Sequence, residues 1–152
     1  MKIFFVILIT SLSIFGSLSF AAPYGAIVVN AKNGEVLHCE DCDTKLHPAG
    51  LTKLISLYVV FSKIESGEIS LDEQVEVSRK ASAELPAKLG LKPSQKIKVR
   101  YLIRATGIMG CNDTSTALAE HVSGSEKQFS ELMNLTAKKL GMENSFFLNA
   151  HG

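Results

Sequence analysis

His47-Pro48-Ala49-Gly50-Leu51-Thr52-Lys53-Leu54-Ile55-Ser56-Leu57-Tyr58-Val59-Val60-Phe61 reads as a turn running into a helix. Pro48 suits a first-turn position, where its missing N–H costs nothing. Leu51, Leu54, Ile55, Tyr58 and Val59 keep helical spacing, Ile64 follows near the end, and Gly67 is placed to stop the helix. Apolar side chains cover most of its surface, which predicts burial in the centre of a domain.

Toward the N-terminus, Gly25 to Asn30 is a β-branched run, Lys32-Asn33-Gly34-Glu35 holds an Asn-Gly turn, and Val36 to Cys39 returns. This predicts a β-hairpin, because Asn and Gly tolerate the positive φ of a tight turn. Cys39-Glu40-Asp41-Cys42 follows, flanked by His38 and His47. Its spacing allows a local disulfide, two idle thiols, a redox pair or a zinc site. Any pairing of two cysteines leaves Cys111 or another over. Further back, Lys2 precedes an uncharged run from Ile3 to Phe20, and Ser19-Phe20-Ala21 offers small residues around a cut after Ala21. That pattern predicts a secretory signal peptide over residues 1–21 and a mature domain over 22–152. An uncut leader would instead anchor the chain to the inner membrane. Either outcome predicts export, to a periplasmic or cell-envelope location.

Toward the C-terminus, Glu68 to Lys98 is poorly patterned. A short helix is expected over Val99 to Ala105, and a second from Asn112 or Asp113 to Val122. A third opens on a capping box, Ser125 with Gln128, carries Phe129, Leu132 and Leu135 on one side, and ends at Gly141. Phe146 to Leu148 reads as the start of another strand. The order is two strands, then helices, then that strand. A lone hairpin is marginal, so the organisation implies a domain whose further strands are missing from this chain. With 152 residues there is room for one modest domain. Sixteen basic and 15 acidic residues leave a net charge of +1, which gives no reason to expect a nucleic-acid partner.

His47-Pro48-Ala49-Gly50-Leu51-Thr52-Lys53 resembles the His-Pro-Ala-Ser-Leu-Thr-Lys segment of serine D-Ala-D-Ala carboxypeptidases, the low-molecular-mass penicillin-binding proteins. Gly110-Cys111-Asn112-Asp113 and Ala117 to His121 resemble the surroundings of their Ser-x-Asn motif. Lys138 to Met142 and Asn149-Ala150-His151-Gly152 resemble their next block, and Pro86 to Pro93 a segment between. The resemblance implies a penicillin-binding, β-lactamase-like transpeptidase fold of α/β (α+β) class, here the N-terminal hairpin and helical region without the C-terminal strands. It implies an acyl-enzyme reaction on the D-Ala-D-Ala terminus of a peptidoglycan stem peptide, in cell-wall biogenesis, without a cofactor or metal. Ser-x-x-Lys places nucleophile and base on one helical face, where a neutral lysine accepts the hydroxyl proton.

Against that pattern, Gly50 stands at the nucleophile position and Gly110 at the second-motif serine, while Lys53 keeps the general-base position and Asn112 the substrate-binding one. A Lys-Thr-Gly segment does not occur before Gly152. The expectation is a member of this hydrolase family that is catalytically impaired. The alternative is a non-catalytic module that binds peptidoglycan or another cell-wall protein around Lys53 and Asn112. Thr52 and Ser56 sit wrongly for a substitute nucleophile, and Cys111 is expected to face away. His121 and His151 read as packing histidines, and Asn112 as a candidate helix cap.

Overall fold

The computed structural model describes residues 23–152. The leader and the cut after Ala21 lie outside the described residues. Among the described residues no helix is long and apolar enough to cross a membrane. The chain divides after Leu46 into two compact units.

In the first unit, β1 (Ala26–Val29) pairs antiparallel with β2 (Val36–Glu40), with Ile27 opposite Cys39 and Val28 opposite His38. The turn works as its sequence suggests. Gly34 adopts φ +74° and donates its N–H to the Asn30 carbonyl, 2.8 Å away. Cys39 and Cys42 are joined in a disulfide and Cys111 is left free and buried. With both sulfurs bonded to each other, the zinc reading of this segment loses its thiolates.

The second unit, His47–Gly152, opens with a 3₁₀ turn at Ala49–Leu51. It continues through α1 (Thr52–Glu65), β3 (Gln74–Glu76), α2 (Arg79–Ser82), β4 (Lys96–Lys98), α3 (Val99–Met109), α4 (Asn112–Ser123) and α5 (Glu126–Lys139). β3 and β4 form a small antiparallel pair, with Val75 opposite Ile97 and Glu76 opposite Lys96. At three residues each they leave almost no periodic trace, which is why that stretch reads as unpatterned. Ser78 caps α2 by accepting the Ala81 N–H at 2.9 Å, and Ser125 caps α5 by accepting the Gln128 N–H at 3.2 Å.

Two expectations need correction. The most enclosed helix is α4, not α1. Asp113 to Ala119 are all buried, and α4 packs against α1, α2, α3, α5 and β3. Its hydroxyls are satisfied internally: Ser115 Oγ donates to the Cys111 carbonyl at 2.8 Å, and Thr114 shares a hydrogen bond with Thr106, also at 2.8 Å. Small residues with internally bonded hydroxyls can be surrounded on every side. By contrast, α1 buries Ile55, Val59 and Val60 while Leu54, Tyr58 and Phe61 are exposed. Gly107 faces Leu57 of α1, where an added Cβ would lie 3.4 Å from Leu57 Cδ1, an ordinary packing contact. That contact accompanies an α3 longer than expected, reaching Met109.

Phe146 to Leu148 is not a strand. The segment is irregular, with Phe147 in the core and Phe146 and Leu148 exposed. Its backbone is paired by a side chain: Asn134 accepts the Phe147 N–H and donates to the Phe147 carbonyl, both at 2.8 Å. The amide makes both bonds that a neighbouring strand would have made.

Candidate functional site

The 150–152 segment lies along one side of α1. Ser56 Oγ donates to the Ala150 carbonyl at 2.7 Å, and Lys53 Nζ donates to the His151 carbonyl at 3.1 Å. The Gly152 backbone packs against the Ala49 carbonyl and Thr52, leaving no room for a Cβ. Positions 49, 52–53 and 56 lie one helical turn apart, so a single stripe receives three successive residues.

Lys53 is buried, with 8% of its surface exposed. Burial pushes its amine below the usual lysine range, and attraction to the Cys111 sulfur opposes this. The Cys111 thiol is pushed up, by burial first and then by the Asp113 charge, while Lys53 pulls it back. The second motif therefore lies within electrostatic reach of Lys53. Cys111 is 1% exposed, Thr52 is buried and Ser56 is committed to Ala150, so none presents a free nucleophile at this surface.

Gly50 sits in the 3₁₀ turn one helical turn before Lys53. A Cβ placed there meets nothing within 4 Å, and its φ is not left-handed. Gly110 differs. It ends α3 at φ 68°, ψ 29°, a conformation that favours glycine. Asn112 is not the helix cap; that place belongs to Cys111. Its N–H donates to the Ala87 carbonyl at 2.7 Å and its amide to the Leu85 carbonyl at 2.9 Å. Asn112 thus holds the connector between α2 and β4, residues 83–95, beside the second motif, and no hydrogen bond joins it to Lys53 among the described residues. A shallow groove of about 140 Å³ lies between His47, Pro48, Ala49 and Thr52 on one side and Phe146, Asn149 and Gly152 on the other; Gly50 does not line it. A larger one, about 280 Å³, lies away from these residues between Tyr58 on α1 and Leu132 and Lys139 on α5.

Several supporting residues escape sequence reasoning. Asp113 is fully buried and accepts three N–H groups of the connector, from Leu89 at 2.9 Å, Gly90 at 2.8 Å and Leu91 at 3.0 Å. It pins that loop to the start of α4. An acid opening a helix of small residues is the one available signal for it. Glu126 accepts the Ala150 N–H at 3.0 Å and pairs with Lys80 at 2.6 Å. Burial pushes its carboxyl up, but the Ala150 N–H and Lys80 outweigh burial and hold it below the usual range. His151 contributes its carbonyl to Lys53, while its imidazole faces Glu84 and Glu126.

A buried lysine one helical turn after Gly50, with the Gly110–Asn112 loop within electrostatic reach, keeps the spacing of the Ser-x-x-Lys and Ser-x-Asn motifs without their serines. The family profile described as D-alanyl-D-alanine carboxypeptidase matches residues 19–152, and the chain belongs to that family. It is 39% identical over 132 residues to D-alanyl-D-alanine carboxypeptidase DacC of Escherichia coli (strain K12), covering 83% of this chain and 33% of the relative. It is 31% identical over 127 residues to D-alanyl-D-alanine carboxypeptidase DacF of Bacillus subtilis (strain 168), covering 84% and 33%. Among solved structures, D-alanyl-D-alanine carboxypeptidase DacD from Francisella tularensis superposes with a TM-score of 0.82 at 32% identity, covering 90% of this chain and 33% of that one. Penicillin binding protein 5 from Haemophilus influenzae gives 0.80 at 28%, covering 88% and 41%. The fold is the mixed helix-and-strand fold of penicillin-binding proteins, present in part. The chain spans about a third of the length of the curated relatives it matches.

Proposed function

We propose that this chain is an exported, envelope-located D-Ala-D-Ala carboxypeptidase-type domain that has lost its nucleophile and is catalytically impaired. Its natural ligand class is the D-Ala-D-Ala end of a peptidoglycan stem peptide. The observation that carries this reading is Gly50. Around it Lys53 is buried with its amine below the usual lysine range, and the Gly110–Asn112 loop lies within electrostatic reach, but no side chain projects from position 50. Gly110 likewise offers no hydroxyl for proton transfer. In subtilisin, loss of the nucleophile alone lowers turnover by about a millionfold, which sets the scale of impairment.

The test is the intact mass of the purified chain after incubation with benzylpenicillin. The expected result is no covalent adduct. A stoichiometric adduct mapped to any residue of the chain would overturn the reading. Thermal melting with added D-Ala-D-Ala peptide addresses ligand class separately, because a ligand that binds only the folded state raises Tm.

A further inference from the structure

We infer that Glu84, Glu126 and His151 form a binding site for a divalent transition-metal ion, zinc in particular. One oxygen of each carboxylate and the imidazole Nε2 lie within 4.8 Å of one another. His151 Nε2 stands 3.4 Å from Glu84 Oε2 and 3.9 Å from Glu126 Oε1. The outer oxygens are held from behind. Glu84 Oε1 accepts the Thr116 hydroxyl at 3.0 Å, and Glu126 Oε2 pairs with Lys80 at 2.6 Å.

The chemistry of the inner atoms asks for a cation. Carboxylate oxygens only accept, and a neutral imidazole nitrogen without its proton also presents a lone pair. Glu126 Oε1 already accepts the Ala150 N–H at 3.0 Å, and the repulsion left among the three atoms is relieved by a proton or a metal ion lying among them. Glu84 and Glu126 side chains are only 16% and 7% exposed, so water screens them poorly. Two carboxylates and one ammonium leave a negative charge to be met. A single proton on Nε2 bonds well to one carboxylate; a metal ion serves all three atoms.

Distances and ligand types favour zinc. Zinc bonds of about 2.0–2.2 Å place tetrahedral neighbours about 3.3–3.5 Å apart. The Glu84–His151 pair is already there, while Glu126 Oε1 must close in from 3.9 Å on His151 to complete the set. Calcium and magnesium prefer more oxygens and no imidazole. Thr116 orients Glu84 as outer partners of metal ligands do. Lys80 is 57% exposed and can turn to solvent as the ion takes up the charge. The ligands come from the turn after α2, the start of α5 and the 149–152 segment, so the ion would fasten the carbonyls that hold Ser56 and Lys53. No sequence spacing announces such a site, because its members are 42 and 25 residues apart.

The experiment is calorimetric titration of the chelator-treated chain with zinc chloride, alongside Glu84→Gln, His151→Gln and Lys80→Met. Melting each in chelator confirms folding, and Glu84→Gln keeps the Thr116 bond. The expected result is one zinc per chain and a raised Tm. Glu84→Gln and His151→Gln should each weaken binding roughly tenfold or more, and Lys80→Met should tighten it by removing a competing charge. No zinc uptake by the parent chain overturns the inference. So does unchanged affinity in both Glu84→Gln and His151→Gln, which would place the ion elsewhere, for example at the exposed His38 and Glu40.

Discussion

Gly50 and Gly110, which we propose stand where the family pattern has serines, lie in different backbone environments. At Gly50 the φ is ordinary and nothing stands within 4 Å of where a Cβ would lie; at Gly110 the φ is +68°. Gly50→Ser should therefore change stability by no more than about 0.5 kcal/mol, whereas Gly110→Ser should cost about 1 kcal/mol. Chemical denaturation of both variants checks this, and equal costs would contradict it. Lys53 gives a pH-dependent prediction. Burial lowers its pKa in the folded chain, so the unfolded chain binds more protons between that lowered value and about 10.4. Stability must rise with pH across that window. The Tm of the parent chain should climb relative to Lys53→Met as pH rises toward about 10.4, and a flat difference would count against a depressed amine. Motif spacing made Gly50, Lys53, Gly110 and Asn112 legible as candidate positions. The partners of Lys53 and Asn112 were not, because they are main-chain carbonyls of His151 and Leu85, and any residue type supplies those.

The cap of α5 could be read from sequence, though Leu135 is exposed and Met133 and Ala137 share the buried side with Phe129, and the hairpin could be read from its Asn-Gly turn. What escaped was structure whose bonding is supplied by side chains. Asn134 stands in for a strand at Phe147, and Asp113 stands in for a turn at Leu89 to Leu91. The second case is measurable. Asp113→Asn keeps one acceptor oxygen but turns an NH₂ toward a group of N–H donors in a fully buried place. Bonds to a charged acceptor contribute about 1.5–3 kcal/mol each, and a buried unpaired donor adds its own penalty. The expected loss is about 3 kcal/mol, read from the denaturation midpoint with an unchanged slope. A loss below that of an ordinary surface substitution would mean that the 89–91 loop does not depend on Asp113.

At the scale of the whole molecule, the apolar residues divide into two sets. Ile55, Val59, Val60, Leu102, Leu118 and Phe129 are buried together in the second unit. Leu54, Tyr58, Phe61, Ile108 and Met109, on the outer sides of α1 and α3, are about half to four-fifths exposed. The sequence pattern could not separate these sets on α1, since both are apolar and share one helix. Exposed apolar side chains on two helices that pack together favour association of copies in water. The chain should self-associate with rising concentration, and Leu54→Lys combined with Ile108→Lys should reduce this, as seen by sedimentation velocity. Neither side chain belongs to the buried set, so the Tm should stay nearly constant, within the small range of surface substitutions. A Tm that falls sharply would show that these residues support the core. A parent chain that stays monomeric at high concentration would show that the outer faces do not drive association.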